Sequence, residues 1–204
     1  MSLAKQHDNL MNTQPKPNPR AAAPLPADII CESLELDPTS RTGLRWRCRP
    51  RHHFPTERGW ETANGRDAGK PAGSEFRNIA GKKYFRVRVN GINYLVHRII
   101  YFLAFGVDPG NLHIDHIDGN GQNNNPANLR LATNSENMRN RGATKINTSG
   151  FKGVDWRKQS QNWRALIRHH GKLRHLGLFD TPEEAHAAYV RAAKELHGEF
   201  ARAS

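Results

Sequence analysis

Asp115 and His116 stand side by side in the run His113-Ile114-Asp115-His116-Ile117, and Asn128 and Asn137 follow a short way downstream. A carboxylate and an amide oxygen suit a hard divalent cation, which takes oxygen ligands and keeps several waters. An imidazole is largely neutral near neutral pH and can take a proton from water. Asp115 and Asn137 are therefore candidate metal ligands and His116 a candidate general base. Asn128 could hold His116 in one tautomer. Each residue taken singly has a plainer reading. Asp118-Gly119-Asn120 is a turn signal, and loop asparagines commonly bond their own backbone.

The elements that must place these groups can be read from the pattern. A short alternating strand carries Asp115 and His116, which on a strand point to opposite faces. An Asn- and Gly-rich loop follows, then a second short run, Leu129-Arg130-Leu131-Ala132. Thr133 and Glu136 make a capping box that opens a helix. Asn137 falls in its first turn, near the positive end. The helix should continue through Arg141 and stop near Gly142. Arg141, four residues past Asn137, shares its face and could stabilise charge on a scissile phosphate; a solvated arginine at a helix end fits it equally well.

Upstream, Lys83 to Tyr94 reads as a hairpin turning at Asn90-Gly91. Its basic face, Arg86 and Arg88, either follows a phosphate backbone or is solvated. Leu95 to Phe105 reads as an apolar helix stopped by Gly106, and it should be the core support for the catalytic hairpin. His97 reads as a core histidine more readily than as a ligand, and Arg98 could reach a phosphate. Pro50 to Pro71 shows no periodicity and reads as a long loop. His52-His53 within it has no further ligand at zinc-like spacing nearby, which favours a solvated basic loop.

The layout Asp115-His116, Asn128 and Asn137, with Val96-His97-Arg98 upstream, resembles the zinc-free, homing-type branch of the HNH endonucleases, whose ββα-metal motif has this order. The resemblance spans about Gly91 to Arg141. It implies that Asp115 and Asn137 hold a divalent metal, Mg2+ or Mn2+, that His116 is the base, and that Asn128 orients it. The lead-in around Asp37-Pro38, Gly43-Leu44 and Trp46 is similar, more loosely, to the β-rich segment ahead of that motif in phage-type relatives.

The C-terminal third reads as a second unit, with strands at Phe151–Val154, Trp163–Arg168 and Leu173–Leu178. Thr181-Pro182-Glu183-Glu184 then starts a helix, with Ala185, Ala188, Tyr189, Ala192, Ala193 and Leu196 on one apolar stripe. If Trp163, Ala165 and Ile167 pack on that helix, Arg164 and Arg168 face outward, where a basic strand face can enter a DNA major groove. The words Gly153-Val154, Trp163-Arg164-Ala165, Ile167-Arg168, Leu176-Gly177, Phe179-Asp180-Thr181 and Ala188-Tyr189 resemble the APETALA-type (ethylene-response-factor) DNA-binding domain. That resemblance implies Lys152, Arg157, Arg164, Arg168, Lys172 and His175 as DNA-facing. The chain also departs from the pattern: Asp155 stands where many relatives carry a basic residue, and Leu173-Arg174 leaves open which side Arg174 faces.

Composition bounds the rest. The 204 residues carry a formal charge of +12, which points to a polyanionic partner, most simply double-stranded DNA. Cys31 and Cys48 form no CxxC pair, so no structural zinc is expected. No run is apolar enough to cross a membrane, and the start lacks the apolar core of a signal peptide, which reads as a soluble, intracellular protein. The expected class is α+β: a disordered tail over 1–27, a nuclease domain with its lead-in over 28–142, a linker over 143–150 and a DNA-binding domain over 151–204. The expected function is a metal-dependent DNA endonuclease, phage- or mobile-element-associated, with a non-catalytic DNA-binding regulator as the alternative.

Overall fold

The computed structural model describes residues 24–140 and 147–201. The first group of elements is α1 (Ala27–Ser33), β1 (Leu34–Leu36), β2 (Leu44–Trp46), α2 (Glu57–Asp67), β3 (Ser74–Arg77), β4 (Lys83–Val89), β5 (Ile92–Leu95), α3 (Val96–Phe105), β6 (His113–His116), β7 (Leu129–Ala132) and α4 (Asn134–Arg139). The second is β8 (Val154–Arg157), β9 (Asn162–His169), β10 (Lys172–Phe179) and α5 (Pro182–His197). Small antiparallel sheets with helices against them give the α+β arrangement that the pattern predicts.

Helix α3 organises the first group. Val96, Ile99, Ile100 and Tyr101 are buried, and Gly106, at φ 72°, ends the helix in the left-handed region. The buried face of α3 joins Phe85, Val87 and Val89 of β4 with Ile114 of β6 and Leu129 and Leu131 of β7. Ile30, Leu34 and Leu44 of the lead-in complete the cluster. A two-stranded hairpin such as β6–β7 is marginal alone, so its shape depends on this support. The β4–β5 turn has Asn90 and Gly91 at φ 46° and 78°, as a two-residue hairpin requires. Gly121 lets the loop after β6 lie on β4: an added Cβ would sit 2.5 Å from Tyr84 Cε1 and 2.6 Å from the Lys83 carbonyl oxygen.

The stretch expected as a loop from Pro50 to Pro71 contains helix α2. Thr56 caps it by accepting from Gly59 N at 3.1 Å, Glu57 lies in the first turn and Arg66 in the last. No residue of α2 is buried. Polar ties hold it: Trp60 Nε1 and Asn64 Nδ2 donate to the Arg49 carbonyl at 2.7 and 3.0 Å, and the Arg49 guanidinium reaches Asp67 at 2.8 Å. A helix fixed this way has no apolar stripe, and periodicity cannot reveal it.

In the second group the strands lie in the order β10-β9-β8, all antiparallel. Ala185, Ala188, Tyr189 and Ala193 of α5 pack on Val154, Ala165 and Ile167. Thr181 and Glu184 form the predicted capping box. The first strand begins at Val154, later than the pattern suggests. Before it, the Ser149 hydroxyl lies within hydrogen-bond distance of Asn147 Oδ1 and of the Phe151 and Val154 carbonyls. The two groups touch: Lys152 Nζ donates to the Arg139 carbonyl at the end of α4, and the Arg130 guanidinium lies 3.9 Å over the Phe200 ring. Cys31 and Cys48 are free and exposed. Among the described residues, no helix is long and apolar enough to cross a membrane.

Candidate active site and DNA interface

Strand β6 sends its two polar neighbours to different environments. Asp115 is 4% exposed and pairs across the hairpin with Arg130. Arg130 Nε donates to Asp115 Oδ2 at 2.9 Å, and its Nη2 lies 2.8 Å from the same oxygen. Asn140 Nδ2 donates to both carboxylate oxygens, at 2.8 and 3.0 Å, and to the His116 carbonyl at 2.8 Å. Oδ2 thus receives Arg130 as well as Asn140, while Oδ1, among the described residues, receives Asn140 alone. A carboxylate oxygen has two lone-pair directions, so Oδ1 keeps one open.

His116 turns the other way, toward α3. Its ring meets that of His97 edge-on, with centroids 5.0 Å apart, and lies 6.1 Å from the Tyr84 ring. Its Nε2 is 3.3 Å from Asn124 Oδ1. Asn124 Nδ2 donates to the Thr42 carbonyl at 2.9 Å, and that carbonyl can only accept. The Asn124 amide is therefore oriented with its oxygen toward the imidazole, which places the His116 proton on Nε2. Nδ1 is left as the basic nitrogen, with no hydrogen bond among the described residues. Burial pushes the His116 pKa below its ordinary value, partly offset by the Asn124 hydrogen bond and the charges of Asp118 and Asp115. His97, fully buried, is held well below by desolvation and by His116 and Arg98 nearby. Both imidazoles are neutral at neutral pH.

The fold brings together some of the expected residues and separates others. Asn128 does not touch His116. Its Oδ1 accepts from Asp118 N at 3.1 Å, and its Nδ2 donates to Asp118 Oδ1 and the Asn123 carbonyl at 3.0 and 2.8 Å. It braces the loop that presents Asn124, so its effect on His116 is indirect. Asn137 is half-buried on α4, and its side chain makes no hydrogen bond among the described residues, whereas Asn140, one turn on, bonds Asp115. Arg141 lies outside the described residues. Pattern reading missed Asn124, Arg130 and Asn140. Asn124 sits in a run of similar asparagines, and Arg130 and Asn140 are ordinary residues of a strand and a helix end.

The basic residues divide in the same way. Arg98 is 7% exposed, and its guanidinium donates to the carbonyls of Leu112 and Gly110 at 3.0 and 2.8 Å. It ties the loop before β6 to α3 and presents nothing to a phosphate, correcting that expectation. Arg86 and Arg88 are exposed on β4 and line a cavity of about 810 Å³ together with Arg49, Arg66 and His53. In the second unit the alternation holds: Ala165 and Ile167 are buried under α5, and Arg164, Leu166 and Arg168 occupy the open face. Register adds Arg157 opposite Asn162, His175 opposite Leu166, Leu173 opposite Arg168 and Leu178 opposite Arg164. Lys172 pairs with His169 and Arg174 with Ile167, so register assigns both to the α5 side of the sheet, though both are exposed. Lys152 is off the open face, at the junction with α4. Asp155 pairs with Arg164, whose Nε lies at 2.9 Å, and that hydrogen bond holds the Asp155 carboxyl below its usual range. The acid neutralises its own neighbour.

A family model described as HNH endonuclease matches residues 94–139, and one described as AP2 domain matches residues 149–199. The chain is 42% identical over 106 residues to Protein 3.8 of Escherichia phage T7, covering 52% of this chain and 87% of that protein. It is 37% identical over 133 residues to an uncharacterized HNH endonuclease of Acanthamoeba polyphaga mimivirus, covering 64% and 68%. No solved structure matches. The nuclease match falls on the elements that carry Asp115 and His116, and the two relatives are aligned over more than two thirds of their length; the chain belongs to the HNH endonucleases and carries an AP2 domain behind the nuclease unit.

Proposed function

We propose that this nuclease hydrolyses phosphodiester bonds of duplex DNA with a divalent cation, at sites selected by its AP2 domain. The observation that carries the reading is the pair of neighbours on β6. Asp115 is a clamped carboxylate with one open oxygen direction, and His116 is a neutral imidazole whose tautomer leaves Nδ1 as the base.

The donor set suits Mg2+ or Mn2+, since a carboxylate and amide oxygens with no thiolate make a hard site. Asp115 Oδ1 is the open carboxylate position. Asn137, whose amide makes no hydrogen bond among the described residues, is the oxygen donor from α4, and Asn140 fixes the carboxylate plane through its N–H groups. A cation bound there would supply charge stabilisation for the phosphate and the departing 3′ oxygen. His116 Nδ1 takes a proton from water, which attacks phosphorus as the P–O3′ bond breaks; the departing 3′ oxygen takes a proton from solvent, leaving 5′-phosphate and 3′-hydroxyl ends. The low His116 pKa keeps that nitrogen free at neutral pH. Asn124 holds the ring, Asn128 holds the loop that carries Asn124, and Arg98 braces the approach to β6.

The open face of β8–β10 is where duplex DNA docks, with Arg157, Arg164, Arg168 and His175 as contacts. Leu166, Leu173 and Leu178 give the face an apolar component that can meet thymine methyl groups. Arg86 and Arg88 extend the basic surface on the nuclease unit. The phage and virus relatives suit an enzyme of a mobile or phage genome.

The test is nicking of supercoiled plasmid with Mg2+ or Mn2+, beside His116→Ala and with DNA binding measured in parallel. Wild type should nick, EDTA should abolish nicking, and the variant should bind without cutting. If neither protein cuts while both bind, the chain acts as a DNA-binding regulator.

A further inference from the structure

Three donor atoms meet outside the nuclease site and outside the AP2 sheet. His53 Nε2 lies 2.6 Å from Glu32 Oε2, and His52 Nε2 lies 3.1 Å from the same oxygen. All three groups offer a ligand atom within 4.8 Å of the others. Glu32 comes from the end of α1, and the histidines from a 3-10 turn, Arg51–His53, twenty-odd residues on in the chain. The sequence shows no further ligand at zinc-like spacing near His52-His53, because Glu32 arrives only through the fold.

The geometry points to a binding site for a borderline transition-metal dication of the Zn2+ class, held by Glu32, His52 and His53. Two imidazole nitrogens and one carboxylate oxygen are a zinc-type donor set, poorly suited to Mg2+. A tetrahedral ion with bonds of about 2.0–2.1 Å needs donors roughly 3.3 Å apart. The 2.6 and 3.1 Å separations from Glu32 Oε2 are tighter than that, so the ion requires Glu32, whose side chain is 41% exposed, to withdraw from His53 by about 0.7 Å, with a smaller outward shift at His52. His52, whose side chain is 68% exposed, is free to make it. His53 is the fixed ligand: its side chain is 6% exposed, and its Nδ1 lies 3.3 Å from the Ser33 hydroxyl. The 2.6 Å contact with an acceptor-only carboxylate puts the ring proton on Nε2; a bound ion would take that proton's place, and Nδ1 would then donate to the Ser33 hydroxyl and fix the ring. Ser33 is itself 1% exposed and cannot drift.

Three protein ligands leave one position for water. The ion ties α1 to the turn that precedes α2, two segments otherwise joined here by the histidine–carboxylate contacts and the His53–Ser33 hydrogen bond. Its role is to staple the lead-in whose Ile30 and Leu34 enter the core under α3. Such a site stands independently of the nuclease mechanism.

The experiment uses the full chain, stripped with chelator and titrated with Zn2+ by calorimetry in the presence of excess Mg2+. Asp115→Asn serves as background to remove zinc taken by the nuclease site. Co2+ then reports the ligand set through its visible spectrum and through broadening of the His52 and His53 proton signals. One equivalent should bind in the Asp115→Asn background, and Glu32→Gln and His52→Ala should each remove it. Ser33→Ala should weaken it about tenfold or more while leaving the ligands in place. His52 is exposed, so His52→Ala will fold even if Glu32→Gln does not. The proposal is overturned if no zinc binds in the Asp115→Asn background, which would leave an ion pair only. It is equally overturned if zinc binds but His52→Ala leaves affinity and the Co2+ spectrum unchanged.

Discussion

Replacing Asn124 by Asp tests the assignment of the base directly. In the wild type the amide oxygen accepts from His116 Nε2 at 3.3 Å, and burial holds the imidazole below its ordinary pKa of about 6.5. A carboxylate in the same place puts a negative charge on the proton-bearing nitrogen and stabilises imidazolium. An opposite charge at such range typically raises a pKa by about one to three. The acidic limb of the nicking rate should therefore move up by that amount. Near the wild-type limb the rate should drop about tenfold for each pH step of one that the limb moves, because the free-base fraction falls by that factor. At alkaline pH the variant should recover most of its rate, since a more basic imidazole is no worse as a proton acceptor. The variant also loses the Asn124 donation to the Thr42 carbonyl, at a stability cost of about 1–3 kcal/mol, so thermal melting must confirm that it is folded at the assay temperature. Asn124→Ala is the uncharged control: it removes the hydrogen bond that raises the His116 pKa, so it should lower the rate and shift the limb down, opposite to Asn124→Asp. An acidic limb that stays in place in a folded Asn124→Asp enzyme would show that Asn124 does not address the catalytic base.

Other substitutions separate roles that the sequence merges. Asn137→Ala should raise the Mg2+ concentration needed for half-maximal nicking with little change in melting temperature. Asn140→Ala should lower stability by about 1–3 kcal/mol, because Asp115 loses a buried donor to both oxygens. Arg168→Ala should weaken DNA binding and reduce the salt slope by about one, whereas Arg98→Ala should lower the melting temperature and leave the slope unchanged. His97 and His116 both have folded pKa values below the unfolded value of 6.5, so the unfolded chain binds more protons between the two. Stability should be full above about pH 6.5 and fall as pH drops through the folded values; a melting temperature flat from pH 7.5 to about 5.5 would contradict the neutral pair.

Periodicity and capping revealed α3, the β4–β5 hairpin, α4 and α5, because each is set by local signals: an apolar stripe, Asn90-Gly91, Thr133 with Glu136, and Thr181 with Glu184. Helix α2 escaped because its ties to Arg49, from Trp60, Asn64 and Asp67, are polar: they recur at helical spacing but leave no apolar stripe to mark it. The Asp115-His116 pair was legible as chemistry, but the side chains that tune it were not. Asn124 is one of several asparagines, distinguished only by Thr42, eighty-two residues away in sequence, which fixes its amide. Arg98 showed the reverse: a charge that reads as exposed in the sequence is enclosed by carbonyls of the loop at Gly110 and Leu112. Residue type announced the reactive groups, and long-range hydrogen bonds decided which atom of each is available.

Those long-range ties also bear on how cutting relates to binding. Arg130 is the counterion of Asp115, and its guanidinium rests 3.9 Å over Phe200 of the C-terminal unit. A cation–π contact of this kind is worth about 0.5–2 kcal/mol, more when shielded from water. Lys152 makes a second link by donating to the carbonyl end of α4, the helix that bears Asn137 and leads into Asn140. The carboxylate and the amides of the nuclease site are thus partly braced by the AP2 unit. A chain truncated near Gly142 removes both braces along with the sheet proposed to dock DNA. Weaker nicking by that fragment should therefore have two components, and only one of them, the loss of DNA affinity, is overcome by more DNA. The other should show as a higher Mg2+ requirement at saturating DNA. An unchanged Mg2+ requirement in the fragment would mean that Phe200 and Lys152 join the units without supporting the site.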